Sequence, residues 1–186
     1  MKLGYAITGS FCTVSRSLDV MTELANKADV IPIVSKAVLT TDTRFGKGAD
    51  TLARISRICG KEPITDIVTA EPLGPADPLD ALIICPCTGN TLARIAAGIT
   101  DGAVTMAAKA HLRRDRPLIL AISTNDALSQ NLKNISALLT RKSVYFVPFG
   151  QDDPQKKPYS MISDFSLVEK TLDMALIGKQ IQPLLI

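Results

Sequence analysis

The chain has no tryptophan, and only 4% of its 186 residues are aromatic. Proteins that bind single-stranded nucleic acid stack bases on aromatic rings, so that class starts at a disadvantage. A single histidine, His111, has to serve any Ser–His–Asp arrangement, and no G-x-S-x-G elbow is present, so nucleophilic hydrolysis is poorly supported. No apolar run approaches the roughly 20 residues of a membrane-spanning helix. The opening run Met1–Thr8 breaks too early for a signal peptide. A cytoplasmic chain is expected, with Cys12, Cys59, Cys85 and Cys87 reduced. Neither G-x-G-x-x-G nor G-x-x-x-x-G-K-[ST] occurs. A dinucleotide lying across a sheet is therefore not favoured, whereas a mononucleotide phosphate is compatible. The net charge of +3 is small and dispersed, with no stripe for nucleic acid and no patch for a membrane surface.

What is present is a soluble globular composition, 46% hydrophobic and 21% charged, in one domain-sized chain, expected to be a single domain over residues 1–186. Short apolar runs alternate with helical patterns. Leu3–Thr8, Val30–Val34, Ala81–Cys85, Leu118–Ile122 and Ser143–Pro148 read as strands, with a weaker one at Asp66–Thr69. Helices are expected at Ser15–Lys27, Ala49–Cys59, Leu92–Ala97, Ala103–Leu112 (capped by Asp101), Leu128–Leu139 and Phe165–Ile177. The polar, proline-containing Gly150–Pro158 reads as a loop, and His111 as a surface helix residue. Strand–helix alternation with continuous apolar strands predicts an α/β fold, a Rossmann-like three-layer sandwich around a parallel sheet. In such folds ligands sit beyond the carboxyl ends of the strands.

Three segments at that edge carry chemistry. Thr8–Thr13 joins a strand to a helix; Gly9 lets the backbone approach a phosphate, Ser10 and Thr13 bring hydroxyls, and the helix start brings free N–H groups. A capped tight turn explains the same residues without a ligand. Ser35-Lys36 follows the second strand and adds a hydroxyl and an ammonium. Cys85–Thr91 leads from the fourth strand into a helix. A zinc site needs about four ligands, and no others lie nearby, so Cys85 and Cys87 read as buried structural thiols binding no metal. Asn90 and Thr91 can cap the next helix or bond the polar edge of a flat ring.

These segments, and above all Pro86–Ala121, resemble the flavoprotein superfamily of homo-oligomeric flavin-containing cysteine decarboxylases and flavin prenyltransferases. Pro86–Thr91 falls on its Pro-Ala-Ser-Ala-Asn-Thr-like motif, Gly98–Asp101 on its Gly-Ile-x-Asp turn, and Ser35 on its phosphate-binding hydroxyl. The resemblance runs from Met1 to about Ile177. It implies a pocket for FMN or its phosphate formed by Gly9, Ser10, Phe11, Thr13, Ser35, Thr88, Gly89, Asn90, Thr91, Thr105 and Ser123, and an assembly of trimers or larger. Two stretches, Ile7–Thr13 and Pro148–Pro158, are most similar to the branch of dipicolinate synthase B subunits. That branch implies an oxidoreductase of sporulation. Its partner A subunit carries the nicotinamide domain, with NADP expected there, and its substrate is a small dicarboxylate, a hydroxylated tetrahydrodipicolinate.

The superfamily's decarboxylases use a histidine soon after the second strand, and Ser35–Lys61 has none. The prenyltransferases carry an arginine where Met106 follows Thr105, and a Tyr-His-Arg-Pro segment where this chain has Gln155–Pro158. Both parent chemistries are therefore expected to be lost, which leaves an oxidoreductase subunit or a non-catalytic scaffold for the A subunit as the two readings open to the sequence. A dianionic ring substrate needs cations or N–H donors. The basic residues expected at the ligand edge of the sheet are Lys36, Arg44, Lys47, Lys156 and Lys157, of which Lys36, Arg44 and Lys156 are taken as the substrate cations, with Asn90 and Asn125 as neutral contacts.

Overall fold

The computed structural model describes all 186 residues. Seven strands form one sheet: β1 (Lys2–Ile7), β2 (Asp29–Val34), β3 (Ala81–Cys87), β4 (Leu118–Thr124), β5 (Val144–Phe146), β6 (Phe149–Asp153) and β7 (Lys157–Ser163). The order is β2-β1-β3-β4-β7-β6, with β5 also paired to β4. β1 to β5 pair in parallel, as expected. β6 and β7 do not: they form an antiparallel hairpin docked on the end of β4 through Ser123–Ile162 and Thr124–Met161.

That hairpin corrects the expected loop at Gly150–Pro158. Its polar, charged residues conceal a strand pair because most of its side chains face solvent. The expected third strand at Asp66–Thr69 is also absent. Asp66 instead accepts from the amides of Val68 and Thr69 and starts a short helix, α4 (Ile67–Ala70). Capping by a carboxylate outweighs the β-preference of Ile67 and Val68.

Alternation along the strands separates two cores. Leu3, Tyr5, Ile7, Ile83, Ile119 and Ala121 face α1 (Phe11–Ala25) and α8 (Val168–Leu176). Ala6, Leu82, Ile84, Leu118, Leu120 and Ile122 face α5 (Gly89–Ala97), α6 (Ala103–Leu112) and α7 (Leu132–Leu139). Two further helices, α2 (Lys36–Thr40) and α3 (Gly48–Cys59), follow β2. Burying each such aliphatic side chain contributes roughly 1.5–3 kcal/mol, which sets the three-layer arrangement. The chain crosses from β2 beside β1 to β3 on its other flank, so the topological switch lies between β1 and β3. A crevice opens there by construction.

Two cysteines illustrate the local control. Residues two apart on a strand normally share a face. An irregularity in pairing between Ile84 and Cys87 breaks the alternation, so Cys85 enters one core and Cys87 the other. Burial pushes the Cys85 thiol up to about 12 and that of Cys87 well above the ordinary range. Two thiols in separate cores cannot share a metal. His111 departs from its expected place on the surface: it is 1% exposed, with Nε2 2.9 Å from the Pro117 carbonyl. A carbonyl only accepts, so that nitrogen carries the proton.

Candidate functional site

Three strand exits meet at the switch point and are tied to one another. Thr8, at the end of β1, is fully buried. Its Oγ1 donates to the Pro86 carbonyl (2.7 Å) and accepts from the Thr88 amide (3.0 Å). Ser10 Oγ lies 2.8 Å from Ser123 Oγ, joining the β1 exit to β4. Ser17 Oγ on α1 donates to the Cys85 carbonyl at 2.5 Å. These bonds fix the loops without ligand.

Two adjoining cavities result. The first, about 360 Å³, is lined by Gly9, Ser35, Lys36, Thr88, Asn90, Thr91, Thr105 and the start of α6. First-turn amides of α5 and α6 have no intrahelical acceptors and lie around it. Ser35 Oγ is buried and has no hydrogen-bond partner. An unpaired buried hydroxyl costs about 1–3 kcal/mol unless something bonds it. At Gly9 a Cβ would come 3.1 Å from the Ala37 Cβ, so a larger residue would crowd the cradle. A hydroxyl in need of a partner, helix N-termini and a small residue together fit a phosphate group.

The second cavity, about 560 Å³, is lined by Gly9, Ser10, Phe11, Cys12, Phe45, Thr88, Gly89, Asn90 and Ser123–Asp126, with Asp152, Lys157 and Ser160 from the hairpin. Asn90 and Thr88 lie on the partition between the two. One lobe therefore suits a phosphate, and the other a polar ring.

Most expected residues meet here: Gly9, Ser10, Phe11, Ser35, Lys36, Thr88, Gly89, Asn90, Thr91, Thr105, Ser123 and Asn125 all line one cavity or both. Three do not. Thr13 is buried and turns back onto the Ser10 carbonyl (2.9 Å), serving the first turn of α1. Arg44 lies over the Phe45 ring at 4.8 Å, outside both linings. Lys156 is exposed and contributes its backbone N–H to Asp153; the cation that lines the cavity is its neighbour Lys157. Lys156 stays in the turn between β6 and β7, whereas Lys157 is the first residue of the unforeseen β7. Asp101 does not cap α6, which starts after Gly102; it pairs with Arg94 at 3.1 Å. Thr8, Asp126, Asp152 and Ser160 were not foreseen. The last two needed the hairpin, and Asp126 needed the turn that delays α7 to Leu132.

Electrostatics divide the second cavity. Lys157 Nζ holds Asp152 Oδ2 at 2.8 Å, and Ser160 Oγ reaches the same oxygen at 3.2 Å. The hydrogen bond from Lys157 holds the Asp152 carboxyl below its ordinary range; the same bond raises the Lys157 ammonium. Both remain charged at neutral pH.

Comparison with known proteins places this geometry. A family model described as Flavoprotein matches residues 1–170. The dipicolinate synthase B subunit of Bacillus subtilis is 46% identical over 186 residues, covering 100% of this chain and 93% of the relative. The crystal structure of the dipicolinate synthase B subunit from Bacillus halodurans superimposes with a TM-score of 0.91 at 43% identity, covering 100% of this chain and 95% of that one. A dodecameric FMN-dependent UbiX-like decarboxylase from Escherichia coli O157:H7 gives a TM-score of 0.62 at 26% identity, with 80% of each chain covered. The chain belongs to the flavoprotein family and, within it, to the dipicolinate synthase B subunits.

Proposed function

We propose that this chain works as the B subunit of a dipicolinate synthase, in the cytoplasm of a sporulating cell. It acts with a nicotinamide-binding A subunit to turn a hydroxylated tetrahydrodipicolinate into dipicolinate. The full-length identity to the B subunit of a dipicolinate synthase carries this proposal, and the two-lobed cavity supports it. The lobe around Ser35 takes a phosphate, as the phosphate of FMN would need, with Ser35 Oγ, Gly9 and the first turns of α5 and α6 as its cradle. A bound flavin would supply hydride-transfer chemistry. NADP would sit on the A subunit. The chain would act as a single domain in a homo-oligomer of trimers or larger, as its dodecameric relative does.

Stand-alone decarboxylation is disfavoured on chemical grounds. No histidine lies in the α2–α3 region, and His111 is buried on α6 with its ring bonded to a carbonyl.

The test is to purify the chain with and without its A subunit. Dipicolinate should form from the hydroxylated substrate and NADP only when both are present. The absorption spectrum of the chain alone reports flavin, and Ser35→Ala should weaken FMN affinity roughly ten-fold, the weight of one charge-assisted bond. A complex that makes no dipicolinate would sink the proposal. A Ser35→Ala chain with unchanged FMN affinity would remove the flavin cradle.

A further inference from the structure

The hairpin-side cavity holds a carboxylate that flavin binding does not use. Asp126 follows β4 and lines that cavity. Its Oδ1 takes both of its donors, Thr124 Oγ1 at 2.5 Å and Asn131 Nδ2 at 2.8 Å. Asn131 is 5% exposed and is itself held by Asn134 Nδ2 at 2.9 Å. Oδ2 has no partner in the chain, and it is not a buried atom. Two donors on one oxygen fix the plane of the carboxylate and leave the other oxygen open. A proton acceptor is held in this way, with its geometry set in advance by bonds on the side away from the substrate.

The packing protects this arrangement. Gly89 lies against it so closely that a Cβ there would come within 2.5 Å of Asn131 Nδ2, 2.6 Å of Thr124 Oγ1 and 2.8 Å of Asp126 Oδ1. Lys157, the one cation among the lining residues, belongs to the hairpin wall of the same cavity. Ser160 links the two parts, since its Oγ bonds both Asp152 (3.2 Å) and the Thr124 carbonyl (3.3 Å). A free carboxylate oxygen and a fixed ammonium thus serve one polar space.

Resting on the function proposed above, we infer that Asp126 is a catalytic base of this chain, that Lys157 holds a ring carboxylate for it, and that the step it performs is elimination of water. The chemistry of the conversion requires such a step. A hydroxylated tetrahydro ring becomes aromatic by losing one water and two hydrogens. A nicotinamide accepts only the hydride, so the water has to leave separately. Asp126 Oδ2 takes the proton from the ring carbon next to the hydroxyl-bearing carbon. The C–H electron pair becomes the new ring double bond and the C–O bond breaks. The departing oxygen takes the proton back from the Asp126 carboxylic acid and leaves as water. The carboxylate is regenerated, nothing is oxidised, and the dihydro ring passes on for hydride removal.

The test uses the A–B complex and two substrates, the hydroxylated ring and the already dehydrated dihydro ring. Asp126→Asn keeps an Oδ1 for Thr124 and Asn131 and replaces only the free oxygen. It should lower kcat on the hydroxylated ring at least about a hundred-fold, the usual weight of general-base catalysis. It should nevertheless turn over the dihydro ring at the wild-type rate. Lys157→Gln should raise KM for both rings about ten-fold, as loss of one charge-assisted bond does. Asp126→Glu, which keeps a carboxylate, should exceed Asp126→Ala on the hydroxylated ring, and this pair decides the matter if the Asn variant does not fold. An Asn variant with wild-type activity on the hydroxylated ring, or one equally impaired on both rings, overturns the inference. Dipicolinate formation by the wild-type complex in those same assays keeps the functional proposal standing.

Discussion

Ser10 Oγ and Ser123 Oγ stand 2.8 Å apart across 113 residues of sequence. The first belongs to the glycine loop after β1, the second to β4, and both line the larger cavity. The bond fixes the spacing of the two strand exits before any ligand arrives, so the cavity is largely preformed.

A double-mutant cycle measures that coupling. Ser10→Ala and Ser123→Ala each remove one partner, and the double variant removes both. The interaction energy should be about 0.5–1.5 kcal/mol, the net worth of a neutral hydrogen bond. Urea midpoints of the four proteins give it directly. Strictly additive effects would mean that the two hydroxyls bond solvent instead.

Thr8 gives a larger effect. Its hydroxyl is completely buried and holds both the Pro86 carbonyl and the Thr88 amide. Thr8→Val keeps the shape and strips both bonds. The stranded groups should cost about 1–3 kcal/mol. Because those groups fix the β3 exit, ligand affinity at the Ser35 lobe should fall as well. Denaturation and FMN titration of the same variant separate the two effects.

Much of this was legible in the sequence, for identifiable reasons. The parallel strands announce themselves because both of their faces are buried, which forces runs such as Ala81–Cys85 to be apolar throughout. The loops after them carry Gly9, Ser35 and Asn90, whose side chains are small or polar wherever a ligand edge is exposed. The hairpin β6–β7 was hidden because β6 buries little beyond Phe149 and β7 only part of its length, leaving charged residues that look like a loop. The choice of Lys156 over Lys157 follows from that omission, since only the hairpin shows that Lys156 lies in its turn while Lys157 opens β7. Asp126 was invisible for another reason. The pattern Leu128–Leu139 is continuous, but the turn before Asn131 delays the helix and frees the carboxylate.

His111 should make stability depend on pH. Burial lowers its imidazole below the ordinary 6.5, and the neutral ring donates to the Pro117 carbonyl. Below pH 6.5 the unfolded chain takes up a proton that the folded chain resists, so the unfolded state binds more protons. Stability should therefore fall as pH drops from about 6.5 towards the depressed folded value, and no change is expected from this group above 6.5. His111→Gln should flatten that part of the curve. Urea denaturation of both proteins between pH 7 and 5, taken as a difference, cancels the contribution of carboxylates such as Asp80 and Asp152. Parallel curves would refute the assignment.

The last prediction concerns the edge of the sheet at β5, which pairs only with β4. Phe146 is fully buried, so its outward N–H and carbonyl need partners. Gln180 supplies both: its Oε1 accepts from the Phe146 amide at 2.8 Å, and its Nε2 donates to the Phe146 carbonyl at 2.7 Å. One side-chain amide thus stands in for a residue of an adjacent strand. Gln180→Ala leaves both groups stranded and should cost about 1–3 kcal/mol. Gln180→Glu keeps the acceptor but sets a second oxygen against the Phe146 carbonyl, so it should be worse than Ala. At roughly 2–4 °C per kcal/mol for a chain of this size, Tm should fall by several degrees and rank wild type above Ala above Glu. An uncovered edge also invites pairing with another chain, so both variants should aggregate faster on heating, which light scattering follows. The reverse order, with Glu above Ala, would mean that the side chain caps the edge through its carbonyl alone.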